Sequence, residues 1–155
     1  MAELERFVEA QNADAAFESA LAEIRAGRKT SHWIRFVFPQ LAGLGTSPTS
    51  RFYALDGRGE AERYLRHPVL GPRLLAITTA VVEHLRAGRQ LEVLMGSRID
   101  AAKTVSSMTL FAEVVGEGSP GDQSATLSRL AREVLALAET QGLPPCRFTR
   151  SRLQA

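Results

Sequence analysis

The residues best suited to chemistry fall in two short stretches: His32, Trp33 and Gln40 in the first, Lys103, Ser106 and Ser107 in the second. An imidazole titrates near neutrality and can act as acid, base or donor. An indole offers an apolar wall with one polar N–H. An ammonium beside hydroxyls in the first turns of a helix can hold a carboxylate or phosphate, aided by the free backbone N–H groups there. Interleaved with Phe36 and Met108, these groups have the mostly apolar, sparsely polar make-up of a ligand pocket. The expectation is a small-ligand site, for an anion or a nucleotide-like molecule, where segment 31–40 meets segment 100–111, with His32 as the candidate catalytic or orienting group. Each residue also has a plainer reading. His32 fits a core or boundary histidine, the hydroxyls of Ser106, Ser107 and Thr109 fit helix caps, and Asp100 with Lys103 fits a surface pair of little energetic weight.

Other chemistries lack their signatures. Gly116, Gly118 and Gly121 match G-x-G-x-x-G, but a dinucleotide fold needs further strands beyond that turn and only one more helix follows, so the stretch reads as a loop. His32, His67 and His84 are too scattered for metal ligation on one helix, and His67 before Pro68 reads as a turn residue. Cys146 is alone, which rules out an intramolecular disulfide and a cysteine metal cluster. No G-x-S-x-G elbow occurs. No metal or cofactor is expected, and whether the chain is an enzyme stays open.

Helices must position the two stretches. Phe17, Ala20, Leu21 and Ile24 recur at i, i+3, i+4 and i+7, with Asn12 or Asp14 ahead as N-cap and Gly27 behind as a stop. Before them, Leu4, Phe7 and Val8 predict a shorter helix that breaks near Gln11 and Asn12. Leu74, Ile77, Val81 and Leu85 form a second stripe after Pro72, and Leu127, Leu130, Ala131, Val134 and Ala138 a third, ended by Gly142. Shorter helices are expected over 60–66, halted by Pro68, and around Leu91, Leu94 and Met95. Segment 31–38 fits neither period and reads as buried, helix ahead of strand; 100–115 reads as helix, although 110–115 alone would pass for a strand. Pro39, Gly43, Gly45 and Pro48 predict a loop. The sum is an all-α, compact single domain of about six to seven helices over 1–142, followed by a basic C-terminal tail over 143–155.

With 155 residues, 45% of them hydrophobic and 23% charged, the chain can bury enough surface to offset its ordering entropy. No export signal or membrane span is legible, and a cytoplasmic location is expected. The net charge of +2 selects no partner class. Its distribution is more telling: Arg25, Arg28, Lys29, Arg35 and Arg51 fall in a stretch without Asp or Glu, which supports an alternative reading as a module for nucleic acid or an acidic partner. A third reading is a structural or dimerisation domain whose aromatic segment is core or a dimer face. The oligomeric state is not legible.

The segments SHWIRFVFPQLAGLGTSP (31–48), RFYAL (51–55), YLRHPVLGPRL (64–74) and DAAKTVSSMTLF (100–111), in this order, resemble an uncharacterised bacterial family, domain of unknown function number 1810. The resemblance covers roughly 4–115 and implies a small all-helical domain without an established activity. It marks His32, Trp33, Gln40, His67, Lys103, Ser106 and Ser107 among the family's pattern. The sequence departs from that pattern at Arg35, where a second tryptophan is frequent, and at Val105, where an arginine is common. Members sometimes carry the label calpastatin, to which neither repeats nor a disordered composition corresponds here.

Overall fold

The helices run α1 (Ala2–Asn12), α2 (Ala16–Ala26), α3 (Ile34–Val37), α4 (Pro48–Phe52), α5 (Arg58–Arg66), α6 (Leu70–Arg86), α7 (Leu91–Leu94), α8 (Arg98–Val115), α9 (Gln123–Thr140) and α10 (Arg147–Gln154), with a 3-10 turn at Ala13–Ala15. This computed structural model describes residues 2–115 and 123–154. Among them no strand forms; Leu41 and Leu55 make one isolated parallel bridge. The fold is all-α as expected, but six to seven helices is too few. Helices α3, α4 and α7 are four or five residues long, about one turn each, too short to print a periodicity. α4 occupies the end of the predicted loop, opened by Pro48 and by Ser47, whose Oγ accepts the Ser50 N–H at 3.1 Å. The glycine motif at Gly116, Gly118 and Gly121 lies outside the described residues.

Helix α9 lies against both α6 and α8. The predicted stripes of α6 (Leu74, Ile77, Val81, Leu85) and α9 (Leu127, Leu130, Ala131, Val134, Ala138) all point inward. α8 is different, because every residue from 104 to 112 is buried and no polar face remains to reveal its period. Its hydroxyls turn back on the helix: Thr104 Oγ1 donates to the Asp100 carbonyl at 2.9 Å and Thr109 Oγ1 to the Val105 carbonyl at 2.8 Å. The strand alternative for 110–115 therefore falls, and the helix continues to Val115.

α1 buries Leu4, Phe7 and Gln11. The Gln11 amide donates to the Phe36 carbonyl at 2.8 Å and to the Tyr64 hydroxyl at 3.2 Å, which ties α1 to α3 and α5. The break between α1 and α2 comes slightly later than expected, at Asp14 and Ala15, whose φ angles are 52° and 54°. Ala15, rather than Asn12 or Asp14, precedes α2, and no side chain caps it. His67 fills its turn role through Nδ1, which accepts the N–H groups of Val69 at 3.1 Å and Leu70 at 3.3 Å where α6 begins. Segment 143–154 carries Leu143, in the core, and α10, which packs on α8. The Cys146 N–H donates to Thr109 Oγ1 at 3.0 Å, and Thr149 is fully buried. No helix of the described residues is long and apolar enough to cross a membrane.

Candidate functional site

α3 is a single turn, so its residues point in every direction. Ile34, Val37 and the flanking Trp33 and Phe38 are buried, while Arg35 and Phe36 stay half-buried at the surface. Arg35 meets α8 there. Two adjoining hollows form, of about 300 Å³ and about 220 Å³, and they share one wall made by Arg35, Tyr53 and Lys103. The larger is completed by Gln40, Leu41, Leu44, Gly45, Ser50, Ala54, Ile99, Ala102 and Ser106; the smaller by Lys29, His32, Ile34, Phe36, Thr49 and Asp100.

Several contacts fix this wall. The loop after α3 is pinned by Ala42 N–H to Leu55 carbonyl (2.8 Å) and Leu55 N–H to Gln40 carbonyl (2.9 Å). Arg6 of α1 reaches across to donate to the carbonyls of Phe52 (2.7 Å) and Ala54 (2.9 Å), holding the backbone on either side of Tyr53. The Tyr53 ring tilts against Phe7 and Phe36, with centroids 5.8 and 5.6 Å away. Arg35 Nε donates to Ser50 Oγ at 3.2 Å. Gly45 permits the loop to close on α4, because a Cβ there would stand 2.4 Å from the Ser50 Cβ.

Four of the six residues singled out in the sequence border the hollows: Gln40 and Ser106 the larger, His32 the smaller, and Lys103 both. Trp33 borders neither. Its indole is buried, donates its N–H to Glu23 Oε1 at 2.9 Å, and packs behind Lys29, whose Nζ is 5.1 Å from the ring centroid. Ser107 is also fully buried, with a hydroxyl that has no partner. The reason is helical phase. Ile99, Ala102, Lys103 and Ser106 follow i, i+3, i+4, i+7 along one face of α8, and Ser107 lies off that face. Arg35, Tyr53 and Ser50 were missed as ligand-site residues; Arg35 was read only as one of the basic residues and as a departure from the family pattern, and Tyr53 only as part of the RFYAL segment.

The site is cationic. Lys29 Nζ pairs with Asp100 Oδ2 at 2.8 Å and donates to the Ser31 carbonyl at 2.6 Å. Lys103 and Arg35, in contrast, have no carboxylate within ion-pair distance among the described residues. Burial and the nearby Arg35 guanidinium hold the Lys103 ammonium below the ordinary lysine value; Asp100 acts in the opposite sense and Lys29 adds to the fall. Burial would raise the pKa of the Cys146 thiol, but the Ser106 and Thr149 hydroxyls beside it bring it below the ordinary cysteine value. Arg25, Arg28 and Arg51 are exposed, but Lys29 is buried against Asp100 and Arg35 faces the hollows, so the five-residue basic region does not present itself as one open surface.

Glu23 holds the lead-in to α3. Burial alone would raise its pKa, but hydrogen bonds from the Ser31 hydroxyl, the Thr30 N–H, the Trp33 indole and the Ser31 N–H bring it down to about 2. A depressed carboxyl pKa stabilises the fold fully above the unfolded value, here 4.5, and that contribution is lost as pH falls through about 2. Glu23→Gln is therefore expected to cost about 1 kcal/mol at neutral pH, after allowance for solvent screening of a half-exposed group. Urea denaturation checks it: the gap between wild type and variant should close between pH 4.5 and the acid limit of folding.

Comparison with known proteins adds family and fold. The model of a family described as "Protein of unknown function (DUF1810)" matches residues 1–130. Among solved structures, the conserved hypothetical protein Rv1873 from Mycobacterium tuberculosis is similar over 99% of this chain and 97% of its own, with 38% identity and a TM-score of 0.79. No curated protein matches the chain.

Proposed function

Because the chain belongs to the DUF1810 family, whose description carries no activity, its own geometry is the guide, and we propose that the paired hollows bind a small anion, a carboxylate or a phosphate, through Arg35 and Lys103. One observation carries this reading. Two cations without a carboxylate partner of their own among the described residues stand in the common wall of two adjoining hollows. Like charges set together in a partly desolvated wall repel, and an anion between them relieves that repulsion while gaining charge-assisted hydrogen bonds. Gln40 and Ser50 line the same side and can serve remaining oxygens. His32 is exposed and lines the smaller hollow, which supports an orienting role over one sealed in with the ligand. The volumes lie at or below the lower end for ligand pockets, which favours a small molecule over a polymer.

The test is an amide NMR titration with inorganic phosphate. Saturable shifts clustered at Arg35, Ser50, Tyr53 and Lys103 are expected, and Lys103→Met should weaken the affinity at least about tenfold, the loss of ~1.4 kcal/mol or more of charge-assisted contact. Shifts that never saturate, or that follow the exposed Arg25 and Arg28 instead, would refute the reading.

A further inference from the structure

The two hollows differ in what lies beyond their shared wall. The smaller hollow adds Lys29, Asp100, His32 and Thr49 to Ile34 and Phe36; the larger adds five apolar side chains, Leu41, Leu44, Ala54, Ile99 and Ala102, to Gln40, Gly45, Ser50 and Ser106. Ile99 is 69% exposed, more than the other exposed large hydrophobic side chains of the described residues. A lone exposed isoleucine would need no explanation. This one shares the α8 face of Lys103 and borders a hollow whose lining also includes Leu41, Leu44, Ala54 and Ala102, so apolar side chains stand between the two cations and solvent.

We infer that the ligand is amphiphilic: a carboxylate or phosphate monoester head seated at Arg35 and Lys103, and a short apolar tail lying past Leu44 and Ala102 toward Ile99. The inference rests on the anion reading and narrows it to a substrate class. Size bounds the tail. At about 30 Å³ per water-sized group, a hollow of about 300 Å³ takes about ten such groups, a head and roughly six carbons. The smaller hollow does not suit the tail, because covering the Lys29–Asp100 pair with hydrocarbon would desolvate two charges.

The experiment is an NMR titration of the intact protein with acetate, butyrate, hexanoate, octanoate and hexyl phosphate at constant ionic strength. Each methylene buried should tighten binding about fourfold, levelling off near hexanoate. Ile99→Asn, at an exposed position that leaves the core untouched, should flatten the series while acetate and inorganic phosphate bind as before. Lys103→Met should weaken every member. If hexanoate binds no more tightly than acetate while phosphate still binds through Lys103, the tail is wrong and the anion site stands. If neither phosphate nor any carboxylate binds, both readings fall. Octanoate binding that ignores both substitutions would mark adventitious hydrophobic association and overturn the inference. Once the acetate-to-hexanoate series has shown the tail, hexyl phosphate outbinding hexanoate assigns the head to phosphate, and the reverse assigns it to carboxylate.

Discussion

Gly71→Ala is expected to destabilise the protein by about 3 kcal/mol and to lower Tm by roughly 10 °C. A helical glycine normally gains about 1 kcal/mol from the same change, since alanine is the better helix former. Here the sign reverses. Gly71 sits in the first turn of α6, where its N–H donates to the His67 carbonyl at 3.0 Å and the end of α5 passes directly against it. A Cβ at that position would lie 2.2 Å from the Leu65 carbonyl oxygen, a backbone atom with no rotamer to escape into. Relief requires α5 and α6 to part, which disturbs Tyr64 and Leu70, both fully buried. Gly59 is the internal control. It lies in α5, and its Cβ would meet only the flexible Arg63 guanidinium, at 3.2 Å. Gly59→Ala should therefore stabilise by about 0.5–1 kcal/mol. Paired thermal melts decide it: two stabilising alanines would contradict the close approach of α5 to α6.

Asp100→Asn should lower stability and strengthen anion binding together. The Lys29 side chain is 7% exposed and Asp100 20%, so removing the carboxylate strands the more buried charge. The ammonium then keeps the Ser31 carbonyl, the Trp33 ring and a neutral amide oxygen, but no counter-charge among the described residues. Breaking such a pair costs about 3 kcal/mol, whereas Lys29→Met, which leaves the more open partner, should cost less. Among the described residues, Asp100 is also the one carboxylate bordering the hollows. Without it the potential beside Lys103 becomes more positive, and phosphate affinity in mildly acidic buffer should rise about fivefold, the effect of ~1 kcal/mol of removed repulsion. Denaturation and phosphate titration on the same variant read both effects. A variant that loses stability and affinity in parallel would indicate that Asp100 merely holds the site together.

Legibility followed the physics of each element. α2, α6 and α9 each keep a solvent face, so their inward stripes stood out against polar residues. The middle of α8 has no such face, which is why its last turns read equally well as a strand. α3 and α4 are shorter than the period that would betray them. Within the site, Lys103, Ser106 and Ser107 were chosen alike as an ammonium beside hydroxyls, and only the phase of α8 puts the first two on the hollow face with Ile99 and Ala102 and leaves Ser107 off it. Trp33 misled because an indole is as good a core residue as a ligand wall, and the deciding partner, Glu23, stands ten residues away on another helix. Arg35 was passed over as one basic residue among five. Its role comes from α8 crossing beside α3, a tertiary contact that no local pattern encodes.

Linkage offers the most direct test of the anion site. An anion held by Lys103 favours the ammonium, so the Lys103 pKa, which begins below the ordinary lysine value, must rise when phosphate saturates the protein. The measurement is the pH titration of the Lys103 side-chain NMR signal with and without saturating phosphate. A depressed pKa that moves upward with phosphate is the predicted result. A titration curve for Lys103 that phosphate leaves in place would contradict the proposal.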